Sequence, residues 1–147
     1  MSKLLFGLDT AAVNTITAKQ LDAFQTKCLR KILGIRHSYF SRVPNSTIYM
    51  LSGEERLSVR LQRQQLQLFG LVARKSPEDP LKRALFMENA FIPKINGVRR
   101  RRGRPKISWA AQVYSNALKV SEGRQTNLEQ LVMNEGAWRN KVRSFMG

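Results

Sequence analysis

Residues 54 to 75 read EERLSVRLQRQQLQLFGLVARK, and the order of apolar and basic residues in this stretch decides the fold class. Leu57, Leu61, Leu68 and Val72 fall on one stripe with Phe69 beside it, the spacing of one face of an α-helix. Arg56, Arg60, Arg63, Gln67 and Arg74 gather on another face, at spacings of three, four or multiples of a turn. Gly70 is the weak point of the pattern, because a glycine inside a helix costs about 1 kcal/mol relative to alanine. After Glu55 the stretch carries no acid. Solvated helix faces usually mix signs in i,i+4 pairs, so an all-cationic stripe suits phosphates better than solvent alone.

The flanking segments extend the helical reading. TAKQLDAFQTKCLRKILG, residues 17 to 34, predicts an amphipathic helix with Thr17 as N-cap and Gln20 three residues on. Leu21, Phe24, Cys28 and Ile32 form its apolar face, Lys27, Arg30 and Lys31 its basic one, and Gly34 its stop. In SRVPNSTIYMLSG a short turn follows, with Asn45 or Ser46 as cap and Gly53 as terminator. SPEDPLKRALF restarts a short helix, with Ser76 as cap, Pro77 in the first helical position and the acids Glu78 and Asp79 near the positive end.

From Met87 to Lys106 the pattern fades into a loop with room for a short hairpin at Asn96-Gly97. SWAAQVYSNALKV predicts another helix, with Ser108 as cap and Trp109, Val113, Ala117 and Val120 inward. SEGRQT is a linker, and NLEQLVMNEGAWRNKVRSFM gives two last helical pieces, the second anchored by Trp138, Val142, Phe145 and Met146. The expected fold is a small, mostly α domain of about five helices with a basic loop at residues 87–107. It divides into an N-terminal helical part at 1–86, that loop, and helices at 108–147, in one structural unit.

Composition bounds the function. The 147 residues are 42% hydrophobic, ordinary for a globular protein, and no apolar run approaches the roughly 20 residues that span a membrane. MSKLLFGLDTAAV is a poor secretory signal, and the one cysteine cannot pair internally, so an intracellular, reducing compartment is expected. Lys and Arg number 26 against ten acids, a formal charge of +16 that attracts polyanions, nucleic acid first among them.

Chemistry-bearing groups are few. One His and one Cys cannot build a Cys/His zinc site, which needs four ligands. Cys28 lies on an apolar stripe, and His37 suits an exposed loop or a phosphate contact better than a general base. Glu54-Glu55 and Glu78-Asp79 stand near helix starts, where capping explains them. There is no GxxxxGK or GxGxxG string. No catalytic residue, metal or cofactor is expected.

The densest basic feature is RRRRGRPKISW, residues 99 to 109, with Arg99, Arg100, Arg101, Arg102, Arg104 and Lys106 in eight positions. Its Arg102-Gly103-Arg104-Pro105 order matches an AT-hook, whose glycine approaches the minor-groove floor while arginines enter its negative potential. A solvated loop and a nuclear localisation signal are the other readings, and the last leaves a nuclear location open. Trp109 is expected to anchor the end of this arm in the core. A third basic feature joins Lys27, Arg30 and Lys31 to Arg36, His37, Tyr39 and Phe40. Its aromatics could stack on unpaired bases, although Phe40 is expected to pack against the next helix.

In order, LLFGLDT, LDAFQTKCLRKILGI, RLQRQQLQLFGLVAR, DPLKRALF and RRRRGRPKISWAAQV resemble the segment after the reverse transcriptase core in non-LTR (LINE-type) retrotransposons. There a strand-like stretch precedes a helix ending R-x-(I/L)-L-x-I, here Arg30, Ile32, Leu33 and Ile35. An arginine-rich helix ending (L/W)-x-G-x-(V/I)-x-R follows, here Leu68, Gly70, Val72 and Arg74. A basic GRP…W phrase comes last, here Gly103, Arg104, Pro105 and Trp109. The resemblance implies a thumb and post-thumb fragment that grips RNA or DNA, since the paired aspartates of the polymerase are absent from this sequence. The expected grip is Arg56, Arg60, Arg63 and Arg74 on the helix, with Arg99, Arg100, Arg101, Arg102, Arg104 and Lys106 as the arm. Two alternatives are a helical interaction module that docks on a polymerase core, and a non-functional remnant of a mobile element.

Overall fold

Asn14, not Thr17, begins the first helix: its side-chain oxygen accepts the Thr17 N–H at 2.7 Å, so the start lies three residues earlier than the sequence pattern implies. The fold is described from a computed structural model, over residues 5–87, 91–94 and 108–145. Among these residues the backbone forms a 3-10 turn at Leu8–Thr10 and eight α-helices. These are α1 (Thr15–Ile32), α2 (Ser38–Ser41), α3 (Asn45–Ser52), α4 (Leu57–Ala73), α5 (Pro80–Leu85), α6 (Trp109–Val120), α7 (Gln125–Met133) and α8 (Glu135–Ser144). The mostly α expectation holds. Helices outnumber the expected five mainly because a turn segment forms α3 and the exit of α1 forms the four-residue α2; SEGRQT, expected as a linker, already enters α7. LLFGLDT contains the 3-10 turn rather than a strand. The chain divides into two compact units, Val13–Leu61 and Met1–Ala12 with Gln62–Gly147.

In the Val13–Leu61 unit the buried face of α1 is polar. Gln25, Thr26, Leu29 and Arg30 are buried, whereas Phe24 and Ile32, expected inside, are 53% and 77% exposed. Leu21 and Cys28 are half-buried. The reason is hydrogen bonding. Gln25 accepts the Leu57 N–H at 2.8 Å and donates to Glu55 O at 2.7 Å. Asp22 accepts from the Ser58 N–H and hydroxyl at 3.0 and 2.7 Å. Thus α1 satisfies the orphan donors at the start of α4, and places a carboxylate at its positive end. Tyr49 of α3 joins the same network through Thr26 and Gln25.

Arg30, placed by its sequence on the basic face, is also buried. Its guanidinium donates to Arg36 O (3.0 Å), Ser41 Oγ (3.3 Å), Val43 O (2.6 Å) and Asn45 Oδ1 (3.0 Å). Four neutral acceptors thus replace the water it has lost, and the fork geometry of arginine lets one side chain reach them all. Its backbone carbonyl meanwhile accepts the Ile35 N–H at 2.9 Å across Gly34, whose φ of +68° makes the stop anticipated in the sequence. Arg30→Met is expected to lower the unfolding free energy by about 3 kcal/mol, read as a lower urea midpoint, because acceptors in the 36–45 segment lose a charged donor. Arg30→Lys should recover only part of that loss. An unchanged midpoint in both variants would show that this network does not hold the segment.

In the other unit, Leu66, Phe69, Val72, Val113, Ala117, Leu128, Val132, Trp138 and Val142 form one buried cluster, with Trp109, Tyr114 and Phe145 packed against it. The inward residues expected of α6 and α8 are therefore inward, Met146 alone lying outside the described residues. Leu66 belongs to the core although it lies off the stripe that the sequence suggests. Gly70, the apparent weak point, is where the indole of Trp138 lies on α4. A Cβ at Gly70 would sit 2.6 Å from the indole Cδ1, inside contact distance. The indole N–H donates to Leu66 O at 3.1 Å, the carbonyl that also takes the Gly70 N–H by helix geometry.

Two details differ from the sequence reading. Asp79, not Ser76, caps α5, and Pro80, not Pro77, takes its first position. Asp79 accepts the Leu81 N–H at 2.9 Å and pairs with Lys75 at 2.8 Å, and the Lys75 hydrogen bond holds its carboxyl below the usual range. Beyond α5, Phe86 and Pro93 form an isolated antiparallel bridge, with Met87 N–H to Ile92 O at 2.9 Å. The Asn96-Gly97 turn pair lies outside the described residues.

Propensity and packing oppose each other at Gly70, so the sign of one substitution separates them. Gly70→Ala should gain about 0.5–1 kcal/mol from helix propensity alone. Against the indole it is expected to lose roughly 1–3 kcal/mol through overpacking. In a Trp138→Ala background the same change should become stabilising. Thermal melts of the four proteins check this, and a stabilising Gly70→Ala in the otherwise natural chain would refute it.

Candidate nucleic-acid interface

The four helical arginines expected to grip phosphates occupy different environments. Arg56 and Arg60, in the Val13–Leu61 unit, are exposed, and the Arg56 guanidinium lies over the Tyr49 ring at 5.8 Å. Arg63 and Arg74 belong to the other unit and are half-buried. Arg63 Nε donates to Phe145 O at 2.8 Å, at the C-terminal end of α8. Arg74 Nη1 donates to Val132 O at 3.2 Å, in the last turn of α7. Each places a cation where a helix presents orphan carbonyls and the negative end of its dipole. These two arginines therefore have a structural task, whatever else they touch.

Arg99, Arg100, Arg101, Arg102, Arg104 and Lys106 lie outside the described residues. Trp109, which follows them, is half-buried and donates its indole N–H to Asp9 O at 2.6 Å, so it is fixed against the 3-10 turn. Phe40, expected to pack on the next helix, is instead 72% exposed, and its ring meets Tyr39 edge to face at 5.2 Å. His37 is exposed and caps α2, accepting the Tyr39 N–H at 3.3 Å.

An open groove of about 850 Å³ lies within the unit that contains residues 62–147. Phe6 and Asp9 border it from the segment around the 3-10 turn. Gln64, Gln67 and Leu71 line it from α4, Arg74 from just past its end, and Trp138, Arg139 and Arg143 from α8. Glu135 also lines it and pairs with Arg139 at 2.7 Å, both side chains being 58% exposed. The groove thus combines an apolar floor, two amides, three guanidiniums and two carboxylates. Of these, the sequence reading singled out only Arg74 as a binding residue and Gln67 as its neighbour on the stripe. Arg139 and Arg143 carry a local signal, an i,i+4 basic pair on α8. Phe6 carries none, because only tertiary packing brings residue 6 beside residues 64 to 74.

Among the described residues no three of His, Cys, Asp and Glu gather where they could hold a metal ion. No described helix is long and apolar enough to cross a membrane. Compared with family models, curated proteins and solved structures, the chain matches none.

Proposed function

We propose that this chain binds nucleic acid through its phosphates and performs no chemistry of its own, as the post-polymerase fragment of a non-LTR retroelement would. The charge excess carries the reading. With 26 Lys and Arg against ten acids, pairing every acid once still leaves 26 − 10 = 16 cations without an acidic partner. Some acids are already engaged elsewhere. Asp22 caps α4, and Asp79, Glu122 and Glu135 each pair with a single cation. A surface so unbalanced gains most from a polyanion, whose condensed counterions are released on binding. Arg56 and Arg60 are the exposed members of the proposed grip. RNA or DNA is the partner, a reverse transcriptase core is a second one, and the setting is intracellular, with nuclear entry following from the same basic cluster.

A docking module on a polymerase core is the second reading. Its support is the apolar surface of the Val13–Leu61 unit, where Ile32, Phe40 and Met50 are 77%, 72% and 76% exposed.

A salt series distinguishes the two. Contacts with six to ten phosphates should weaken binding to labelled RNA and duplex DNA about a thousandfold or more between roughly 50 and 200 mM salt. Arg56→Ala and Arg60→Ala are expected to reduce the slope without moving the melting temperature. Arg63→Ala and Arg74→Ala should lower it, since each uncaps a helix. Weak binding with a flat salt response would exclude phosphate gripping and leave the docking reading.

A further inference from the structure

The segment that carries Phe6 is pinned at several carbonyls, yet its ring is 90% exposed at the edge of the groove. Gln65 Nε2 donates to Leu8 O at 3.3 Å and Ala11 O at 2.8 Å, Trp109 holds Asp9 O, and the Leu8 N–H donates to Leu5 O at 3.1 Å. Leu5 itself is buried. Gly7, with φ +76°, turns the backbone directly after Phe6, in a conformation that a side chain would strain. An aromatic ring is therefore presented to solvent from a fixed backbone. The side chains of Gln64 and Gln67, on the α4 side of the groove, make no hydrogen bond to any described residue, and neither does that of Arg143 on the α8 side.

We propose that this groove takes one unpaired nucleotide of a single strand, with its base stacked on Phe6 and its phosphate on Arg143. The amides of Gln64 and Gln67 can each donate to and accept from a base edge, which suits all four bases and favours none. Asp9 and Glu135 limit the phosphates accommodated to one, and offer acceptors to sugar hydroxyls. A duplex hides its base faces in the stack and cannot use Phe6, whereas an unstacked base can. The volume, about 850 Å³, lies within the range of small-ligand clefts. The inference rests on the nucleic-acid reading above and adds to it a strand preference and a base contact.

Fluorescence anisotropy on the full chain tests it, with a short single-stranded RNA, the same strand carrying abasic positions, and a duplex. Phe6→Ala should weaken binding of the intact single strand about tenfold, the scale of one base–aromatic stack. It should leave duplex binding and the salt slope unchanged, because no charge is removed. The abasic strand should lose the same factor on the natural chain and nothing further on Phe6→Ala. Arg143→Ala should reduce the single-strand salt slope by about 0.7. If the natural chain binds with a steep slope while Phe6→Ala holds intact and abasic strands equally well and at natural affinity, the base site is refuted and the phosphate grip stands. If no strand or duplex binds at all, both readings fall.

Discussion

Trp138 lying on Gly70 fixes the distance between α4 and α8, and the core and groove of the unit containing residues 62–147 depend on that spacing. A glycine lets the indole reach the helix backbone, and the shared Leu66 carbonyl sets the orientation of the ring. The neighbouring aromatics accept that geometry: Phe69 meets Trp138 at 6.1 Å and Phe86 at 5.4 Å, in tilted and edge-on contacts that aromatic quadrupoles favour. The groove inherits its floor from the same contact, since Trp138 lines it from below and Arg139 and Arg143 lie further along the same helix. With any residue larger than glycine at position 70, the indole of Trp138, which lines the groove, must shift.

Charge is distributed between holding the fold and facing a partner. Arg30 has four neutral acceptors and little access to water, Arg63 and Arg74 close helix ends, and Lys75 holds the α5 cap. Arginine suits these places because its guanidinium is weakly hydrated and directs several donors at once. Arg56, Arg60 and Arg143 remain exposed at the surface. A cation that already satisfies a helix terminus contributes less to a distant polyanion than one facing solvent, so counting basic residues overstates the grip. The excess is still large enough that withdrawing a few cations leaves the sign and scale of the field unchanged.

Periodicity made α4, α6 and α8 legible because their buried faces are mainly apolar: Leu57, Leu61 and Val72, then Val113 and Ala117, then Trp138 and Val142. The same logic failed for α1. Its sequence advertises Leu21, Phe24, Cys28 and Ile32, yet the unit buries Gln25, Thr26 and Arg30, because Gln25 meets the start of α4, Thr26 the Tyr49 hydroxyl and Arg30 the carbonyls of the 36–45 segment. No one-dimensional pattern distinguishes a glutamine that caps a neighbouring helix from one that faces solvent. Helix starts failed in a related way, since Ser76-Pro77 and Asp79-Pro80 are both cap-then-proline pairs and only the Lys75 contact separates them. The groove was legible in part: Arg74 and Gln67 lie on a visible stripe, whereas Phe6 joins them through contacts that only folding creates.

Of the residues that made the sequence resemble a retroelement segment, Arg30, Gly70, Val72 and Arg74 have strict geometric tasks, whereas Ile32 is exposed and Gly103, Arg104 and Pro105 lie outside the described residues. Arg30 organises the exit of α1 with both its backbone and its side chain, and Gly34 provides the left-handed turn there. Gly70 admits the indole, Val72 fills the core and Arg74 closes α7. Each position demands a residue type for a reason of packing or hydrogen bonding that applies whether or not nucleic acid is present. A resemblance carried by such positions therefore bears on how the chain folds more directly than on what it holds. The proposed binding rests instead on residues that the fold leaves exposed, namely Arg56, Arg60, Arg143 and the ring of Phe6. Among the described residues none of those closes a helix or fills a core, so substituting them tests the proposed binding with little disturbance of the fold.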